Sequence, residues 1–181
     1  CVAGSRLLLQ ESIHDTFLER LVDFIKDVRF GSPTDPLTQI APISTRPQFE
    51  KIRSYVSIAQ GEGARLVAGG CPHVVPEFPD GLFFEPTIFA DVTNDMRIAR
   101  EEVFGPVLSV LKFRDEDEAV EIANDTEFGL AAGVWTESLR RGITMSERLR
   151  AGTVWVNNYR STSTTCLLYT SPSPRDMRSS R

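Results

Sequence analysis

"PVLSVLKFRDEDEAVEIANDTEFGLAAGVWT", running from Pro106 to Thr136, decides the fold class. Its first part, "PVLSVLKF", is a short apolar run that reads as a strand. Asp115 is placed to cap the helix "EDEAVEIAND", in which Ala119, Val120, Ile122 and Ala123 face inward. "GLAAGVWT" is then a strand of small residues, the kind that pack close against a neighbour or a ligand. Strands alternating with helices predict an α/β architecture, because parallel strands need a crossover and a helix supplies it.

The alternation continues outward from there. Leu7–Leu9 read as a short strand after a turn at Gly4. "ESIHDTFLERLVDFIKDVRFG" has helical period, with Phe17, Leu21, Phe24, Ile25 and Val28 on one face. Ser12 or Asp15 can cap its start, and Gly31 followed by Pro33 stops it. A proline-rich connector leads to a second amphipathic helix carrying Phe49, Ile52, Val56 and Ala59. "ARLVAGG" reads as a short buried strand, followed by a turn-rich loop. Downstream, "FFEPTIFADV" reads as strand and "MRIAREEVFG" as a helical turn into a loop. "ESLRRGITMSERLRAG" is a helix closed by Gly152, and "TVWVNN" is the last strand. The expected fold is a mainly parallel sheet with flanking helices, with no internal repeat.

Composition narrows the function class. At 181 residues, 41% hydrophobic and 25% charged, the chain is an ordinary globular sequence able to bury one core. Its 25 acidic against 20 basic residues leave a net charge of −5 and no basic patch, so no nucleic-acid partner is expected. Apolar runs are too short for a bilayer and no secretory leader is visible, which predicts a cytoplasmic protein with no membrane partner. Cys1, Cys71 and Cys166 with His14 and His73 form neither a disulfide framework nor a metal set, so no metal is expected. Cys71 and His73 read as a loop cysteine and a surface histidine. "GEGARL", from Gly61 to Leu66, lacks the third glycine of a dinucleotide fingerprint and follows a helix, so its glycines read as cap and turn.

The C-terminal end breaks the pattern. From Ser161 onward there is no periodic apolar spacing, and "CLLYTSPSPRD" resembles the translation of a transposase adapter used in DNA library preparation. Residues 166–181 are therefore expected to be an adapter-derived, disordered artefact, with residues 1–165 as the authentic domain. That tail carries three arginines and one aspartate, so without it 24 acidic residues face 17 basic ones.

Four ordered stretches carry the chemistry: "CVAGSR" at Cys1–Arg6, "EEVFGPV" at Glu101–Val107, "FGLAAGVWT" at Phe128–Thr136 and "AGTVWVNNY" at Ala151–Tyr159. Together, in this order, they resemble the aldehyde dehydrogenase superfamily across essentially all of residues 1–165. The resemblance implies a partial catalytic domain that starts at the catalytic cysteine. Cys1 would be the nucleophile: a thiolate adds to the aldehyde, hydride passes to NAD or NADP, and a glutamate-activated water hydrolyses the thioester. That glutamate, the oxyanion-holding asparagine and the adenine pocket would lie upstream, so the chain alone is expected to be inactive. The family's oxyanion site also uses the cysteine's backbone N–H, which at Cys1 is a free amine with a reference pKa of about 8.

By the same resemblance, Glu102 would hold the nicotinamide ribose hydroxyls and Phe104 would pack by the nicotinamide end. A carboxylate suits the first role because it accepts two hydrogen bonds at once. Gln48 and Lys51, at i and i+3 on one helix face, match positions that contact the cofactor ribose in relatives. Glu101 reads as an acidic helix end on the surface. Asn157 would order the loop near the catalytic centre, and Val2, Arg160 and Thr162 would line the aldehyde tunnel. The partner is a small-molecule aldehyde, and the parent enzyme is expected to be a homodimer or homotetramer. Two rivals stay open: a coenzyme A-acylating relative, and an amidohydrolase using Cys1 as an N-terminal nucleophile. A third is a non-catalytic relative that keeps the site only as scaffold.

Overall fold

The computed structural model describes residues 3–161. The expectations placed on Cys1, Val2, Thr162 and the tail 166–181 concern residues outside that range.

The chain opens with β1 (Arg6–Gln10) and runs directly into α1 (Glu11–Lys26), then reaches α2 (Arg46–Gly61) and β2 (Arg65–Ala68). A hairpin follows, β3 (Pro72–Val75) and β4 (Phe78–Phe84), before β5 (Thr87–Ala90) and the single turn α3 (Arg97–Arg100). The last third is β6 (Val107–Phe113), α4 (Glu116–Asn124), β7 (Ala131–Val134), α5 (Leu139–Arg148) and β8 (Thr153–Val156). The main sheet has the order β1-β6-β5-β2, with β1, β6 and β5 parallel and β2 antiparallel on the edge. β7 and β8 form a separate parallel pair, and β3 with β4 an antiparallel one. The mainly parallel α/β reading therefore holds.

Period-2 alternation explains how the sheet buries both faces. All four residues of β5 are buried: Phe89 joins the core under α2, while Ile88 and Ala90 join the core under α1. Strand β6 does the same, with Val107 and Leu111 on the α2 side and Val110 on the α1 side. Helix α2 contributes Phe49, Ile52, Val56 and Ala59, the expected stripe, and adds Tyr55. Thr45 caps it, accepting from the Gln48 backbone N–H, and Pro47 stands in its first turn, where a missing N–H costs nothing. Asp115 caps α4 as expected, accepting from the Glu118 N–H at 3.0 Å. Ala119 and Val120 of that helix meet Met145 of α5 in a third, smaller core.

Several expectations are corrected. Helix α1 turns His14, Leu18, Leu21, Val22 and Ile25 inward, leaving Phe17 41% and Phe24 73% exposed. The helix begins at the residue after β1, so the strand junction sets its phase. It starts with Gln10 as an unassisted cap rather than Ser12 or Asp15, and it ends at Lys26, before Gly31. "ARLVAGG" is a half-exposed edge strand, not a buried one, because β2 has a partner only on its β5 side. The turn-rich loop contains the β3–β4 hairpin, and "FFEPTIFADV" is two strands, since Pro86 has no N–H to give a ladder.

Candidate functional site

The loop between α3 and β6 carries Glu101, Glu102, Val103 and Phe104, and one edge of α2 holds it residue by residue. Gln48, Lys51 and Tyr55 share that edge because they stand at i, i+3 and i+7. The Tyr55 hydroxyl donates to the Glu101 carboxylate. The Lys51 ammonium donates to the Glu102 carbonyl at 2.7 Å. The Gln48 amide donates to the carbonyls of Val103 at 2.7 Å and Phe104 at 2.9 Å. Four successive loop residues are thus tied to three helix residues, in antiparallel order, while the adjoining stripe of α2, which Tyr55 also joins, is buried in the core. Gln48 and Lys51, expected at the cofactor ribose, direct these polar atoms at the loop backbone.

The neighbouring glutamates have opposite surroundings. Arg97 grips Glu101 with Nε at 2.8 Å and an Nη at 3.0 Å, on top of the Tyr55 hydroxyl. The Arg97 guanidinium and then the Tyr55 hydroxyl pull the Glu101 carboxyl down to about 2. The same bond pushes the Tyr55 phenol up, and Glu101 pushes the Arg97 guanidinium up. Lys51 and Arg97 also stand 5.6 Å and 5.5 Å from the centre of the Tyr55 ring. Glu101 is the surface helix end expected, standing at the C-cap of α3, and it is also an anchor gripped by Arg97 and Tyr55. The Glu102 side chain is exposed, and among the described residues its carboxylate makes no hydrogen bond or ion pair.

Phe104 is 57% exposed and has φ 55°, the left-handed region that a bulky residue enters only under constraint. Gln48 supplies part of that constraint. Gly105 supplies the rest, because a Cβ there would lie 2.6 Å from both Cδ1 and Cγ1 of the fully buried Ile52. The backbone can pass over Ile52 only without a side chain.

A second group gathers where β8 ends. Asn157, at φ 51°, accepts from the Thr136 N–H at 2.8 Å and donates to the Thr136 carbonyl at 2.7 Å, clamping the ends of β7 and β8. Both ends of its amide are used on Thr136. Tyr159 accepts a hydrogen bond from the Gly4 N–H and packs edge-on against Trp155 at 5.5 Å. Arg160, exposed and at φ 58°, follows directly.

Topology brings the two groups to one end of the sheet. β1 and β6 are parallel neighbours, with Arg6 opposite Ser109 and the Ser109 N–H bonded to the Ser5 carbonyl at 2.9 Å. The segment entering β1 and the loop entering β6 therefore arrive side by side. Tyr55, Arg97, Glu101 and Tyr159 were missed as site residues by sequence reasoning. The i, i+3, i+7 stripe of α2 was a signal for Tyr55, whereas nothing local pointed to Arg97 or to the Gly4–Tyr159 contact.

Elsewhere, the Cys71 thiol donates to Glu85 at 3.2 Å, and this carboxylate pushes its pKa up. Cys71 is exposed as expected, but His73 is only half-exposed, stacked 3.9 Å from Phe30. No group that could hold a metal ion occurs among the described residues, and no helix there is long and apolar enough to cross a membrane. A surface groove lined by Pro33, Pro42, Phe78 and Phe83 shares no residue with either group above.

Comparison with known proteins identifies the family of the fold. The model of the aldehyde dehydrogenase family matches residues 1–169. A betaine aldehyde dehydrogenase from Mesorhizobium japonicum is 51% identical over 90% of this chain and 33% of its own length. One from Brucella anthropi is 48% identical with the same coverage. Among solved structures, betaine aldehyde dehydrogenase from Staphylococcus aureus in complex with NAD+ superposes with a TM-score of 0.87 at 40% identity, covering 90% of this chain and 32% of that one. An NAD-dependent aldehyde dehydrogenase from Sinorhizobium meliloti gives 0.85 at 45% identity, again over 90% and 32%. The chain spans about a third of the length of the relatives it matches. With these matches and its sheet order in hand, the chain belongs to the aldehyde dehydrogenase family.

Proposed function

We propose that the full-length protein carrying this segment oxidises an aldehyde to a carboxylate with NAD+ or NADP+, using Cys1 as nucleophile. The observation that carries this reading is the Glu102 carboxylate, uncommitted on a backbone that Lys51 and Gln48 hold at three consecutive carbonyls. A nicotinamide dinucleotide fits these residues. Two acceptor oxygens suit a pair of ribose hydroxyls, and an exposed, conformationally held aromatic ring at Phe104 suits the flat nicotinamide. When bound, that group supplies the hydride acceptor.

The chain's own residues divide the remaining work. The Cys1 thiolate forms a C–S bond to the carbonyl carbon, giving a thiohemiacetal. Loss of hydride from that carbon leaves a thioester, a two-electron oxidation matched by reduction of the cofactor. Water then cleaves the C–S bond, releasing carboxylate and restoring the thiol. Glu102 and Phe104 orient the acceptor, and Gln48 and Lys51 act one step back, by fixing their backbone. Asn157 orders the loop that bears Arg160, which with Val2 and Thr162 would line the aldehyde path.

The curated relatives are named for betaine aldehyde, so a small quaternary-ammonium aldehyde heads the substrate panel. In the full-length protein, Cys1→Ala is expected to abolish NAD(P)H formation, and retained turnover overturns the nucleophile assignment. Glu102→Gln is expected to slow single-turnover hydride transfer by about 10- to 100-fold, with less effect on cofactor affinity. A rate equal to the parent's overturns the ribose role. Product analysis with and without coenzyme A separates hydrolysis from acyl transfer: free acid is expected, and an acyl-CoA product overturns the hydrolytic reading.

A further inference from the structure

Glu101 occupies the point where the chain changes direction on its way to Glu102. Helix α3 ends at Arg100, and Glu101 has φ −113° and ψ 148°, extended values that break from the helix. Its two backbone rotations decide where Glu102 goes. The backbone of residues 102–104 is held by Lys51 and Gln48, but the carboxylate of Glu101 is the only side chain between the helix and those anchors that is itself gripped, among the described residues. It is held from two sides: by Arg97, one turn back on α3, and by Tyr55 on α2. α3 is docked in turn, because the Arg97 N–H donates to Glu62, the residue capping α2, at 2.9 Å.

We propose that Glu101, Tyr55 and Arg97 form a positioning device for Glu102, in which the gripped carboxylate fixes the turn from which the free one reaches the cofactor. Charge gives the device a second effect. An unpaired Arg97 guanidinium beside this turn would compete for the Glu102 carboxylate, and its two hydrogen bonds to Glu101 occupy it so that Glu102 stays available. The pair of glutamates is thus one unit, with one member sequestered so that the other can bind. This inference rests on the reading of Glu102 as ribose ligand.

The test uses the full-length protein and compares Glu101→Gln, Glu102→Gln and the double variant. Two quantities are read. One is the single-turnover hydride-transfer rate. The other is the fluorescence of bound NADH with no aldehyde present, which reports how firmly the ring is held. Glu101→Gln is expected to slow hydride transfer about tenfold and to dim bound NADH, and to add nothing further in the Glu102→Gln background. An unchanged rate and emission in Glu101→Gln overturns the inference. So does a loss of equal size in both backgrounds, the pattern of general destabilisation. If Glu102→Gln alone leaves both readouts unmoved, the ribose reading itself has failed, and the positioning inference with it. If Glu102→Gln has its effect and Glu101→Gln has none, only the positioning inference falls. Should Glu101→Gln not fold, Tyr55→Phe removes a single hydroxyl and carries the same comparison, with an expected loss of about threefold.

Discussion

Helices α1 and α2 cover opposite faces of one four-stranded sheet, yet they use their outer edges differently. α2 buries one stripe and spends the residues beside it, Gln48, Lys51 and Tyr55, on the 101–104 loop. α1 buries a stripe that includes the 1%-exposed His14 and leaves Ile13, Phe17 and Phe24 exposed. One helix is committed on two sides and the other on one. A functional loop needs the first kind of support, because a backbone held by a helix is only as fixed as the helix itself.

The sharpest way to break that comparison is to remove a side chain from each. Ile52 has no exposed surface and lies under Gly105, so Ile52→Ala is expected to cost about 2–5 kcal/mol. Phe24 is larger but 73% exposed, and Phe24→Ala is expected to stay within about 0.5 kcal/mol. Urea unfolding midpoints measure both. Equal losses would mean that α1 is covered on its outer face after all.

The same contrast explains how much could be read from sequence. In α2 only one apolar stripe exists, Phe49, Ile52, Val56 and Ala59, and it is the stripe that packs. In α1 two stripes overlap at Leu21 and Ile25, and the one with the aromatic rings was the wrong choice. Its phase depends on the junction with β1, a tertiary constraint that periodicity does not carry. The strand–helix–strand stretch around Asp115 was legible because cap, stripe and strand agree locally, although its two strands enter different sheets. The hairpin at Pro72–Phe84 was hidden by its prolines. At the site, the family resemblance singled out Glu102 and Phe104, but the hydrogen bonds of Gln48 and Lys51 go to partners 51 to 56 residues away in the chain. Such contacts leave no local trace.

A smaller perturbation tests the loop side of α2 directly. Gly105→Ala would set a methyl group 2.6 Å from the fully buried Ile52, and is expected to cost about 1–3 kcal/mol. Ile52→Val removes the Cδ1 carbon from that space, so the double variant should recover part of the loss. A Gly105→Ala protein as stable as its parent would mean the loop rides free of the helix, and the support argued for Phe104 would go with it.

The mildest expected effect is on acid stability, and here the two faces can be ranked again. Glu101 titrates near 2 in the fold, against an ordinary value of 4.5, because Arg97 and Tyr55 favour its charged form. A carboxyl lowered by folding binds its proton more weakly in the folded state than in the unfolded one. Its contribution is therefore complete above pH 4.5 and drains away as pH falls from there towards 2. On the α1 side Asp15 is also lowered, first by its hydrogen bond to His14, but it is 89% exposed and belongs to no loop support. Glu101→Gln should flatten the pH dependence of the unfolding midpoint between pH 4.5 and 2 more than Asp15→Asn does. Both contributions are screened by solvent, so the slope is the quantity to compare, not the absolute stability. If the Glu101→Gln profile overlays the parent's, the Arg97–Glu101–Tyr55 grip is not closed in solution. The loop would then owe its position to Lys51 and Gln48 alone.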